Sequence, residues 1–170
     1  MSTAAVELPQ TSRLFWRFFC GIAARSIRRS FSTVRVLGED PAGALDHDGP
    51  VVVYLNHPSW WDPMVCIHLA RTLGRDRKHS GPIAADALRR YPMFGKLGFY
   101  GIESGLQGAR TFRQVSRTLC EDPHQTLWIT PEGHFTDVTS RPIELAPGLA
   151  HLARDLERAG SRARFLLKCS

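Results

Sequence analysis

Short β-branched apolar runs alternate with amphipathic segments along this chain, and that alternation restricts the fold more than any other feature. Val51-Val52-Val53-Tyr54-Leu55 follows Asp48-Gly49-Pro50 and ends at Asn56-His57-Pro58, so it reads as a buried strand. Further runs at 33–37, 82–85, 99–102, 126–130 and 164–167 read the same way. Helical periodicity fills the intervals. It covers 61–73, stopping near Gly74; 87–98, with Pro92 opening the second half; 107–119; and 148–159, with Pro147 near its start and Gly160 at its stop. Residues 131–142 read as a loop. Strands alternating with helices predict an α/β domain with a mainly parallel sheet flanked by helices. The last run breaks off at Lys168-Cys169-Ser170, which points to a truncated chain or to a short edge strand.

The N-terminal stretch has a different character. From Thr11 the pattern is helical, with Thr11 or Ser12 able to cap and Leu14, Phe15, Phe18, Phe19 and Ile22 recurring at helical spacing. Arg13, Arg17, Arg25, Arg28 and Arg29 interleave with them, and no acidic residue occurs between Leu8 and Gly38. One reading packs the aromatic stripe on the core. The other makes an interfacial membrane helix, its rings in the acyl boundary and its guanidiniums among phosphates. Both hold if one end packs and the other dips. The expected organisation is a tail and basic amphipathic helix over 1–32, followed by the α/β domain over 33–170.

A chain of 170 residues, 43% of them hydrophobic, is long enough for one domain with a proper core. The net charge of +6 favours an anionic partner: a phospholipid surface, a phosphorylated small molecule or nucleic acid. Helix-turn-helix, zinc-finger and ribonucleoprotein signatures are missing, so nucleic acid is not expected. No apolar run approaches the ~20 residues of a spanning helix. The nearest candidate, 14–24, is interrupted by Arg17, and no secretory signal pattern is present. The four cysteines, Cys20, Cys66, Cys120 and Cys169, stand singly and read as reduced thiols in a cytoplasmic setting. The histidines have no zinc-ligand spacing, so no metal is expected.

Two turns carry the chemistry. His57 stands at the C-terminal end of a strand, where α/β sheets keep their active-site crevices. Asp62 falls in the first turn of the following helix, close enough to bond an imidazole nitrogen and fix its tautomer. Ser59-x-x-Asp62 is also a capping-box pattern with Ser59 as N-cap, and the two roles are compatible. Ser59 lacks the Gly-x-Ser-x-Gly elbow of a nucleophile. In Trp128-Ile129-Thr130-Pro131-Glu132-Gly133-His134 the logic recurs: Pro131 stiffens the strand exit, Glu132 offers a carboxylate, and Gly133 lets the backbone turn or approach a ligand. Trp60 and Trp61 read as pocket wall or membrane-facing surface. His134 reads as pocket lining or as an exposed loop residue. The basic cluster 75–79 reads as a solvated loop that could also meet a donor's phosphates or a carrier protein's acidic helix.

His57-Pro58-Ser59-Trp60-Trp61-Asp62 resembles the histidine, four residues, aspartate signature of the glycerolipid and lysophospholipid acyltransferases, including the 1-acyl-sn-glycerol-3-phosphate acyltransferases. Pro131-Glu132-Gly133 resembles that family's proline-glutamate-glycine block, 92–98 the segment leading to its second block, and 148–159 the helix after its third. The resemblance covers roughly 48–165. It implies transfer of a fatty acyl group from acyl-coenzyme A or acyl carrier protein to a lipid hydroxyl, without a bound cofactor and at the cytoplasmic face of a membrane. It makes His57 the general base and Asp62 the group that orients it. Glu132 would hold acceptor hydroxyls, with Pro131, Gly133, Ser59, Trp60 and His134 around the substrate. Backbone N–H groups near Gly133 or near Trp60 would hold the oxyanion. The chain departs from the family where arginines usually accompany the acceptor phosphate: it has Glu103-Ser104 after the 99–102 run, and His134-Phe135 in the third block. Those departures point to a less charged acceptor, such as a glycolipid or another lipid alcohol, unless Arg110, Arg113 or Arg141 substitutes. The family's fourth block would lie just past Leu167. The rival expectation is a non-catalytic or truncated acyltransferase-like domain that docks on membranes through its N-terminal helix.

Overall fold

The computed structural model describes Pro9 and residues 11–36, 43–74 and 76–168. Strands β1 (Val51–Leu55), β2 (Lys78–Ala84), β3 (Phe99–Ile102), β4 (Gln125–Ile129) and β5 (Arg164–Lys168) form one sheet in the order β3-β2-β4-β1-β5. Every neighbouring pair is parallel. Helices α1 (Arg13–Ser30), α2 (Asp62–Leu73), α3 (Ala85–Arg90), α4 (Gly105–Glu121) and α5 (Gly148–Arg158) flank it. The fold is α/β, as the alternation predicts.

β1 lies inside the sheet, with Val53 opposite Trp128 of β4 and Leu166 of β5. Val52 joins Leu127 and Ile129 beneath Val115 and Leu119 of α4 and Leu152 and Leu156 of α5. Val51 and Val53 turn to the other face, where Leu45 and Leu73 of α2 cover them. A strand buried on both faces needs apolar residues at every position, which is why this run shows no polar alternation.

The connections position the site. β1 leads through α2 to β2, on the far side of β4. β4 leads through α5 to β5, on the far side of β1. These neighbouring strands therefore send their chains in opposite directions, and their helices cover opposite faces. Such a switch point opens a crevice at the carboxyl ends of the strands, where His57 follows β1 and Glu132 follows β4.

α1 is N-capped by Ser12, whose hydroxyl accepts the N–H of Phe15. Its inner face packs Cys20 and Ala23, with Phe15, Trp16 and Phe19, against Ile67 and Met64 of α2 and against Leu97. Leu14, Phe18 and Ile22 face outward and are exposed. No helix among the described residues is long and apolar enough to cross a membrane.

Three expectations are corrected. Residues 33–36 form no strand: Val34 and Val36 are exposed, and the sheet's edges are β3 and β5. Leu37 lies outside the described residues. The expected helix over 87–98 is divided, because Pro92 cannot continue α3; a 3₁₀ turn, Pro92–Leu97, follows it. Gly98 ends that turn at φ +95°, with a Cβ there only 2.2 Å from the His79 carbonyl oxygen. The basic cluster is not a solvated loop. Lys78 and His79 open β2, and Lys78 pairs with Asp122 at 2.6 Å. The Arg77 guanidinium donates to Thr126 Oγ1 and to the carbonyls of His47, Gly49, Pro123 and Gln125 at 2.7–3.0 Å. It fastens the N-terminal ends of β1 and β4, leaving little to offer a phosphate. Arg75 lies outside the described residues.

Candidate active site

Directly after β1 the chain turns through Pro58 and Ser59 before α2 begins at Asp62. That turn folds the carboxylate back over the strand exit. Asp62 is buried, at 3% exposure, and its Oδ2 lies 3.0 Å from His57 Nδ1 and 3.1 Å from the N–H of Ser59. Ser59 Oγ accepts the N–H of Trp61 at 3.2 Å. Only half of the capping box is present: the Asp62 carboxylate accepts the Ser59 N–H, but the Ser59 hydroxyl takes the N–H of Trp61 rather than of Asp62, and Trp61, not Ser59, occupies the N-cap position. Asp62 thus holds its own turn and the imidazole through one oxygen. With Nδ1–H donating to that oxygen, Nε2 is the basic nitrogen of neutral His57.

The second turn closes on the first. Glu132 Oε2 accepts the backbone N–H of His57 at 2.9 Å, and the His57 carbonyl accepts the N–H of Thr136 at 3.0 Å. Pro131 is buried, and its carbonyl accepts the N–H of Ala146 at 2.7 Å, holding the approach to α5 against the turn. Gly133 has φ +74°, a conformation in which glycine avoids the Cβ penalty, and its N–H bonds the Thr130 carbonyl at 3.1 Å. That N–H is committed, so Gly133 supplies no oxyanion donor. The N–H groups of Ser59, Trp61 and Asp62 are committed as well, the last to the Ser59 carbonyl at 3.2 Å. Among the described residues, no hydrogen bond engages the N–H groups of Trp60 or His134.

No protein-family model and no curated protein matches this chain. The likeness to the acyltransferases therefore rests on this chain's own residues, those of the two turns together with 92–98 and 148–159.

The structure brings His57, Asp62, Ser59 and Glu132 into one hydrogen-bonded group and places Pro131 and Gly133 in its supporting turn. Trp60 stands at its margin, 62% exposed and stacked on Trp61 at 4.5 Å. Phe31, just after α1, meets Trp61 edge-on at 5.1 Å, so the end of the N-terminal helix adjoins the site. His134 is exposed and makes no hydrogen bond to the group among the described residues. Two neighbours escape sequence reasoning as contacts. The Phe135 ring lies 4.4 Å from the His57 ring, centroid to centroid. The Thr136 hydroxyl is buried without a partner. Nothing local announces either, because both depend on the loop after Gly133 folding over the exit of β1.

Proposed function

We propose that this chain is an acyltransferase that moves a fatty acyl group from acyl-coenzyme A or acyl carrier protein to a hydroxyl of a lysophospholipid, glycerolipid or related lipid. The observation that carries this reading is the His57–Asp62 pair, held by Glu132 at the switch point of a parallel sheet. In the proposed reaction His57 Nε2 removes the acceptor hydroxyl's proton as the oxygen attacks the thioester carbonyl. The carbon–oxygen bond forms and the tetrahedral oxyanion collapses, breaking the carbon–sulfur bond. The proton passes from the imidazolium to the departing sulfur. Asp62 stabilises the imidazolium between those two transfers. The N–H groups of Trp60 and His134 are the candidates for the oxyanion. Glu132 has Oε1 to offer an acceptor hydroxyl, since Oε2 is bonded to His57.

Peripheral docking on the cytoplasmic membrane face belongs to the same proposal. The outer face of α1 sets exposed Leu14, Phe18 and Ile22 ahead of exposed Arg25, Arg28 and Arg29, a composition suited to an anionic lipid surface. That stripe also supports a second reading, membrane docking without chemistry, because it involves none of the residues around His57.

Free-thiol release from a long-chain acyl-coenzyme A and from an acyl carrier protein, each with and without a panel of lipid alcohols, separates the two. Acceptor-dependent release that falls by roughly 10²–10⁴-fold in His57→Ala is the expected result. Release that is unchanged in that variant rules out the mechanism. Vesicle binding with no thiol release from either donor type favours the docking reading.

A further inference from the structure

We propose that the acceptor at this site is a neutral lipid alcohol, with no phosphate or other anion on the carbons flanking its reacting hydroxyl. This rests on the acyl-transfer reading and names its acceptor class. Asp62 and Glu132 bond His57 through their carboxylates, and the Phe135 ring lies against its imidazole. An anion beside the reacting oxygen, at Nε2, would meet the carboxylate of Glu132, whose Oε1 is open to the acceptor, and none of these groups supplies a cation to offset it. Thr136 adds a hydroxyl, which is neutral and unpartnered. Phe135 is 60% exposed and offers an apolar ring to the acceptor's carbon skeleton.

The arginines on the segments reaching this end of the sheet do not restore the balance. Arg141 shares a loop with Phe135, but its guanidinium donates to the carbonyls of Val138 and Ser140 at 3.0 and 2.6 Å. Arg89 is tied to Asp86 and Glu103 beside the exit of β3. Arg110 and Arg113 lie exposed on α4, whose buried face packs with α5 over Val52, Leu127 and Ile129. Arg113 also lines the crevice between α4 and α5. Arg28 and Arg29 come just before Phe31, at the end of α1, where they suit the headgroups of a surrounding lipid surface.

The test compares 1-oleoylglycerol with 1-oleoylglycerol 3-phosphate, each presented in micelles of a neutral detergent at raised salt to suppress general attraction to the basic chain. The expected kcat/KM is at least about tenfold higher for the neutral acceptor. Phe135→Arg should lower that preference, and Phe135→Leu should retain it. A second readout needs no turnover: the ring resonances of His57 should stay in place when glycerol 3-phosphate is titrated in. Preference for the phosphorylated acceptor, or a saturable movement of those resonances, overturns the neutral-acceptor inference and leaves the acyltransferase intact. Thioester that no acceptor consumes overturns the acyltransferase reading instead, while the titration still reports whether the site admits an anion.

Discussion

One carboxylate oxygen of Glu132 accepts the backbone N–H of His57, joining two turns that lie 75 residues apart in sequence. The bond follows from topology: β1 and β4 are parallel neighbours, Tyr54 pairs with Ile129, and their exits emerge side by side. Removing it should disturb His57 without touching its imidazole. Glu132→Ala leaves the N–H without its acceptor, a cost of about 1–3 kcal/mol when such a group is buried. Urea unfolding should show a loss near the lower end of that range, because the bond is only part-buried. Acyl transfer should fall by more than about tenfold, a loss of over about 1.4 kcal/mol in transition-state stabilisation. Glu132→Gln keeps an amide oxygen as acceptor and should recover most of the stability. An alanine variant that unfolds at the wild-type midpoint and keeps full activity would show that the two turns do not depend on this bond.

Asp62 carries two bonds on one oxygen, to His57 Nδ1 and to the Ser59 N–H. Asp62→Asn can retain the second through its amide oxygen while losing the charge that complements an imidazolium. Activity should therefore fall by about 10²-fold or more, with an unfolding midpoint close to wild type. Asp62→Ala removes the acceptor of both bonds and should lower activity and stability together. An asparagine variant that is fully active but poorly folded would assign Asp62 to the turn alone.

The legible parts of this fold are those governed by local pattern. β1 and β3 fall where the apolar runs place them, and Ser12 caps α1 as a hydroxyl before a periodic segment should. The misplaced strand over 33–36 alternates Thr33, Val34, Arg35 and Val36 as a half-buried strand would, but it has no ladder to join, and pairing is not a local property. Arg77 reads as solvated because its acceptors on 47, 49, 123 and 125 are gathered only by the sheet. The site divides in the same way. His57 and Asp62 are five residues apart on one strand-to-helix turn, whereas Glu132 Oε2 and the Phe135 ring reach His57 only through the β1–β4 pairing and the loop beyond it.

α1 separates residues that the sequence groups together. Phe15 and Phe19 pack against the domain, whereas Phe18 is 63% exposed. Phe18→Glu should weaken binding to anionic vesicles without moving the unfolding midpoint. Phe19→Glu should destabilise the protein, since it carries a charge into the α1–α2 contact. Arg28→Glu with Arg29→Glu should weaken vesicle binding by about 1 kcal/mol per lost cation, an effect that fades as salt is raised. Sedimentation with vesicles at low and high salt measures the binding of the Phe18 and arginine variants, and urea unfolding measures the stability of all three. Vesicle binding indifferent to Phe18, to both arginines and to salt would exclude α1 as the docking element.

His79 should make stability depend on pH away from the active site. Its Nε2–H donates to the Gly74 carbonyl at 2.8 Å, and Nδ1 accepts the Trp128 indole N–H at 3.2 Å, while its ring stacks on Trp16. A proton on Nδ1 would set donor against donor. Burial, the largest influence, lowers the pKa from 6.5 to about 4. Between those values the unfolded chain binds a proton that the native chain does not, so stability rises with pH across the interval. The contribution is fully present above about pH 6.5 and is lost as the pH falls to about 4, where native His79 also protonates. The total is at most about 3 kcal/mol. His79→Gln should be less stable than wild type near neutral pH and should lose less stability on acidification, as read from urea unfolding at several pH values. Parallel losses in the two proteins would assign the acid sensitivity to other groups.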